Sequence, residues 1–346
     1  MPSLKSEEEK TQSIERWAFD VSDFVSHVAW SHNDLFVAVS LASGSIKIFN
    51  SKDGSYKTLS GHEFGTMEIS WSPDNSKLAS AGQDGKIKIW DVETQKTLKT
   101  LQGGVQWVEH ISWSPNGDFI ASSAGKILRI WSPNGNLIQE YKDHPSTITA
   151  MQWNSASTEI ATASYGKVLI FLIGISNPQK VLLYPSSLIS LSWHLNGKWI
   201  VAGTQEGSIC GWQLPNVDES RINIQGYETK VTQLSWNKNG ENLATVGGRS
   251  IVIWDFSGRG PEGRKPKVLG NDKRVTQLSY QNCGDLLTSG TKDGSIIFWR
   301  HTEPKKPILV FEVDSEITHL RWSNDGSSLA ICSDDGVVRA WKSPRV

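Results

Sequence analysis

Aromatic residues return along this chain at a spacing that hardly varies, and any fold must satisfy that period. The residue closing each Ser-Trp-like segment is Trp30, Trp71, Trp113, Trp153, Trp193, Trp236, Tyr280 or Trp322, with successive gaps of 41, 42, 40, 40, 43, 44 and 42. A second aromatic follows in every unit, at Phe49, Trp90, Trp131, Phe171, Trp212, Trp254, Trp299 and Trp341. These two positions hold 13 of the 16 tryptophans and leave only Trp17, Trp107 and Trp199 over. Nearly all of the tryptophan therefore belongs to the architecture. A period of this length marks a module that buries its apolar face only by stacking on its neighbours.

Within a unit the pattern is that of short strands. TMEISW is followed by SPDN, KLASAG, QDG, KIKIWD and KTLKTL. Apolar and polar residues alternate, with Gly, Asp, Asn and Pro at the turns, so each period reads as four strands and no segment has helical periodicity. The WD dipeptides Trp90-Asp91 and Trp254-Asp255, the pair Gly61-His62, and the turns Asp84-Gly85, Asp293-Gly294 and Asp335-Gly336 carry a resemblance to the WD-repeat family. It covers residues 13–346 and implies a β-propeller. In that family a His, a Ser or Thr of the second strand, a turn Asp and a Trp form a buried hydrogen-bonded set. Unit two alone matches it fully, with His62, Ser80, Asp84 and Trp90. Units three, four and six have lost the turn Asp, at Gly125-Lys126, Tyr165-Gly166 and Gly248-Arg249.

The last unit ends on VVRAWK and lacks an outer strand, whereas SIERWAFD near the start has the alternation to supply one. Pairing the two would close the ring and remove its open edge. The expected fold is an all-β, single eight-bladed β-propeller of four-stranded antiparallel blades, closed by an N-terminal strand over 13–20. Residues 1–12, polar and acidic, are expected to be disordered.

Formal net charge is −1 and the isoelectric point is about 6.7, which argues against a surface built for nucleic acid. Cys210, Cys283 and Cys332 are widely spaced and form no CxxC, as in a reduced cytoplasmic protein. No signal peptide or bilayer-length apolar run is found, so a cytoplasmic protein with no membrane contact, monomeric by itself, is expected.

The resemblance implies that the b–c and d–a loops open on one face used for partners. Counting from each first aromatic, positions six and four residues upstream, with the residue before the b–c turn, belong to that face. The residues expected to bind a protein or peptide are Phe24, Met67, Gln83, Trp107, Glu109, Lys230, Arg274, Lys292, Glu316 and Asp334. Trp107 stands out because neither repeat position explains it, and an exposed Trp within a charged rim has the composition of an interface hot spot. The blander alternative is that it plugs the channel mouth. Trp199 aligns with Phe36 and Phe119 at the start of the second strand and reads as structural.

Three residues upstream of the first aromatic, four adjacent units carry His319, His27, Glu68 and His110. Imidazoles and a carboxylate suit zinc or another divalent metal, so metal handling is the alternative function; the alternative for the cluster itself is a hydrogen-bonded polar collar. No cofactor is expected on the leading reading. Two basic loops, with Arg259, Arg264, Lys265 and Lys267 and with Arg300, Lys305 and Lys306, lack interleaved aromatics, so nucleic-acid binding is not expected. Gly258, Gly260 and Gly263 match GxGxxG, but Pro261 intervenes and no helix follows. No GxSxG, HExxH or P-loop occurs, and a non-catalytic scaffold is the leading expectation.

Overall fold

Alternation places one side of each strand against a neighbouring sheet, and the burial follows it. In Val25–Trp30, Val28 and Trp30 are buried while His27 and Ala29 face the central channel half-buried. The next strand outward is covered on both faces: every residue of Trp199–Thr204 is buried. The outermost strand is wet, as in Thr97–Gln102. The computed structural model describes residues 14–105, 107–215, 221–270, 272–300 and 306–344. The polar segment 1–12, residue 13 and Lys305 lie outside the described residues.

The strands form an all-β propeller of antiparallel sheets, and the number of blades corrects the sequence expectation: there are seven, not eight. Six have four strands, from Thr66–Trp71 out to Thr97–Gln102, for example. One has six, in the order Ala150–Trp153, Glu159–Leu172, Lys180–Trp193, Trp199–Thr204, Ser208–Gln213 and Arg221–Gln225. It holds repeat units four and five together. Glu159–Leu172 runs through the unit-four turn that lost its Asp, and Tyr165 still pairs with Ser187. The next residue, Leu188, pairs with Thr204. The strand Lys180–Trp193 therefore pairs with both units, with register shifts beside Tyr165 and Leu188.

The strand Glu15–Asp20 pairs with Val337–Lys342, Trp17 opposite Ala340 and Phe19 opposite Val338. The Trp341 indole donates to the Glu15 carboxylate at 3.1 Å. Trp17, left over by the repeat, stacks on Phe49 of the first blade at 5.1 Å and donates its indole N–H to the Ser51 carbonyl at 3.2 Å. The closing strand thus belongs to the last sheet by its backbone and to the first blade by its side chain. Trp199 is buried, edge-on to Phe256 at 5.4 Å.

Neighbouring repeat units are joined through their first strands. The indole N–H of Trp30 donates to the Arg321 carbonyl at 2.9 Å, Trp71 to Ala29 at 3.1 Å, Trp153 to Ser112 at 3.2 Å and Trp193 to Gln152 at 3.2 Å. The second aromatic works within its own unit: Trp90, Trp131 and Trp299 donate to Ser80, Ser122 and Ser289 at 2.8, 2.8 and 2.9 Å. In unit two His62 completes the set, donating from Nδ1 to Asp84 at 2.9 Å and accepting Ser80 at Nε2 at 2.7 Å. Unit six rebuilds it with a tyrosine, which the motif search did not find. The Tyr227 hydroxyl takes the Trp254 indole at 2.9 Å and meets Thr245 at 2.5 Å.

Removing residues 1–20 should leave Val337–Lys342 as an open edge and strip the cover from Trp341, which is fully buried. The expected result is a sharply lower melting temperature by circular dichroism. An unchanged melting temperature would contradict the closure.

Candidate functional site

Strand geometry decides what reaches the face formed by the d–a and b–c loops. The innermost strands carry a register shift between Val25 and His27, Thr66 and Glu68, Leu188 and Ser190, Val275 and Gln277, and Ile317 and His319. Such a bulge re-aims the side chains on either side of it. Upstream residues such as Phe24 and Arg274 stand on the loop face, and downstream ones such as His27 line the channel.

Two pockets gather most of the sequence-predicted face residues. One of about 460 Å³ is lined by Phe24, Arg274, Lys292 and Glu316, with Thr276 and His319. A second, of about 470 Å³, is lined by Gln83, Val105, Trp107 and Glu109. Met67 joins it through Gln83, whose amide N–H₂ donates to the Met67 sulfur at 3.4 Å. Lys230 and Asp334 are exposed but line neither pocket. Trp107 is 51% exposed and Phe24 48%. Glu109 is anchored, its carboxylate accepting the Gly125 N–H at 3.0 Å.

The motif reading missed two neighbours: Val105 is fully exposed and Phe64, in the preceding d–a loop, is 77% exposed. Their signal was an apolar residue in a loop where the repeat demands none. On the opposite side, the basic loop of unit six is partly neutralised, since Arg264 pairs with Asp255 at 2.6 Å.

His319, His27, Glu68 and His110 follow one another along the channel wall, and His319, Glu68 and His110 are hydrogen-bonded there. His110 Nδ1–H donates to Glu68 at 3.1 Å, and the same carboxylate oxygen accepts the Ile111 N–H at 3.0 Å. His319 spends its Nε2–H on the Ser26 carbonyl at 3.1 Å. His27 Nε2 is 3.8 Å from Glu68, and its ring centre is 6.4 Å from that of His319. Metal ligation needs donor atoms converging at about 2.0–2.2 Å from one point. Among the described residues no group of three His, Cys, Asp or Glu side chains is arranged to hold a metal. The Nε2–H of His319 and the Nδ1–H of His110 are thus turned to backbone and to Glu68.

Their electrostatics divide the same way. Burial pushes His319 down to about 3, reinforced by His27 and Arg321. Burial also lowers His27, with Glu68 opposing and Arg321 and His110 reinforcing. For His110 burial works against the charge, yet the hydrogen bond and charge of Glu68 outweigh it and raise the pKa. Burial likewise opposes ionisation of Glu68, but His110, His27 and the Ile111 N–H hold it below its ordinary value.

A histidine whose folded pKa lies below its unfolded value costs nothing above that value. It destabilises the fold as pH falls beneath it, because the unfolded chain then binds the extra proton. For His319 the window opens at the ordinary 6.5 and closes at about 3. At pH 5 the loss amounts to about 2 kcal/mol at about 1.4 kcal/mol per pH unit. His319→Gln, which keeps a donor for Ser26, should flatten the fall in stability between pH 6.5 and 5 measured by urea denaturation. Parallel curves for the two proteins would count against it.

Residues 66–342 match the family model described as IFT122 first beta-propeller. Curated relatives are similar over most of the chain. WD repeat-containing protein 1 of Gallus gallus is 24% identical across 95% of this chain and 56% of its own length. APC/C activator protein CDH1 of Saccharomyces cerevisiae is 23% identical across 85% and 53%. Autophagy-related protein 16 of Arabidopsis thaliana is 22% identical across 81% and 56%. The chain thus spans about half the length of these relatives. Among solved structures, the computationally designed Ika8 protein superposes with a TM-score of 0.80 at 20% identity, covering 95% of this chain and 99% of that one. That likeness concerns the fold alone.

Proposed function

This chain belongs to the WD-repeat β-propeller family through its match to the IFT122 first beta-propeller model, and from that premise we propose that it is a non-catalytic scaffold binding a protein or peptide on its d–a and b–c face. The observation that carries the reading is the exposure of four apolar side chains on the d–a loops, Trp107 and Val105 in one pocket, Phe24 in another, and Phe64. A propeller buries its aromatics between blades. Four large apolar residues held outside the core on one face, beside charged neighbours, have the make-up of a partner surface.

Rigidity supports the same reading. The loops stand on innermost strands stapled to one another, so little order is lost when a partner docks, and preorganisation of that kind favours affinity. Relatives named as an APC/C activator protein and a transcriptional corepressor are in keeping with a binding role. The surrounding charges would orient the partner and speed encounter more than they would set affinity.

Trp107→Ala should leave the melting temperature unchanged, because the side chain is half exposed. It should also weaken capture of the natural partner from lysate by about 2 kcal/mol or more, as truncation of a central aromatic does. Equal recovery of every co-purifying protein by wild type and variant would remove Trp107 from the interface.

A further inference from the structure

The pocket at the channel mouth combines two kinds of wall. Phe24 comes from unit one, Arg274 and Lys292 from unit seven, and Glu316 from unit eight between them. The two cations are held close by their backbones, the Lys292 N–H donating to the Arg274 carbonyl at 2.9 Å. The acid beside Lys292 is already taken: Asp293 pairs with Lys273 at 2.8 Å. Among the described residues neither Arg274 nor Lys292 forms an ion pair. Glu316 is the one carboxylate among the pocket's lining residues, so two positive charges face one negative.

Two of the hydroxyls nearby are committed: Thr276 donates to the Ile317 carbonyl at 2.6 Å and Thr318 to Cys332 at 3.2 Å. His319, held neutral, donates to Ser26. Ser26, Thr232 and Gln277 add uncharged donors to the lining, and the cationic ones are Arg274 and Lys292. A guanidinium beside an ammonium matches a carboxylate, which the planar guanidinium can grip through two parallel hydrogen bonds. Phe24 offers an exposed ring in the same pocket, its backbone fixed by the Ala42 N–H bond to its carbonyl at 2.9 Å.

We propose that this pocket takes an acidic peptide segment in which a carboxylate side chain lies next to an apolar one. The carboxylate sits on Arg274 and Lys292, and the apolar neighbour sits on Phe24. A single carboxylate is the better fit than a phosphoryl group, because the second negative charge of the latter meets Glu316. This assignment rests on the reading of the d–a and b–c face as a peptide-binding surface and names the chemistry that face selects.

The test uses the full chain and four synthetic fluorescent decapeptides, measured by anisotropy at low and moderate salt. One alternates Leu and Glu; the others replace Glu by Gln, Lys or phosphoserine. The Leu/Glu peptide should bind about tenfold tighter than its Gln counterpart, with salt weakening it. An Arg274→Ala, Lys292→Ala double variant of unchanged melting temperature should lose that advantage, and Phe24→Ala should weaken both peptides together. Equal affinity for Glu and Gln peptides, preference for the Lys or phosphoserine peptide, or binding of none of the four would overturn the proposal. Its failure is separable from that of the scaffold reading. A lysate partner lost with Trp107→Ala but kept by the double variant would leave the scaffold standing and remove the acidic segment.

Discussion

One indole N–H, donated across the gap between neighbouring units to a main-chain carbonyl of the preceding innermost strand, recurs at Trp30, Trp71, Trp153 and Trp193. Half of the units are tied to their predecessor by that contact. Each bond contributes only about 1 kcal/mol net, but the ring that makes it is also a large apolar plate packed between sheets. The bond sets the height at which one strand stands beside the next. Side chains of that row repeat the arrangement. Ser70, Gln152 and Ser235 accept the N–H of Trp113, Trp193 and Tyr280 at 3.0, 2.8 and 2.9 Å. The channel wall is therefore hydrogen-bonded from unit to unit, although most units share no ladder.

That constraint explains the His/Glu collar. Glu68 stands two residues before Ser70, where a unit-to-unit bond is made, and does the same work, accepting the backbone N–H of Ile111 as well as the His110 ring. His319 does it from the donor side, through Ser26. Shared height on adjacent strands reads as a ligand set from residue types alone, and in three dimensions His110, Glu68 and His319 also bond one another and the backbone of the wall. Because charge on His319 or His27 is disfavoured there, the collar also ties the integrity of the channel to pH.

The period of the aromatics told the strand order, the antiparallel pairing and the all-β class in advance, because side-chain alternation and turn chemistry are local. The blade count was not legible. Whether units four and five share a sheet depends on a single step, from Ser187 pairing with Tyr165 to Leu188 pairing with Thr204, and no residue type announces it. The Tyr227 network escaped for another reason: a phenol can replace an imidazole as the partner of Trp254 and Thr245, which a search for histidine cannot see. Trp107 drew notice because neither aromatic position of the repeat explains it, and Phe24 because it stands six residues before Trp30; Val105 and Phe64 occupy neither of the counted positions and escaped.

The six-stranded blade makes the ring mechanically uneven. Between most neighbours a displacement can be absorbed by side chains sliding at the contact, whereas across Lys180–Trp193 it travels along the covalent backbone of a strand that belongs to both units. That sector behaves as a beam, not a hinge. Strain from anything pressing on the loop face near Tyr165 is carried intact into the sheet of Trp199, and relief must come from the junctions elsewhere around the circle.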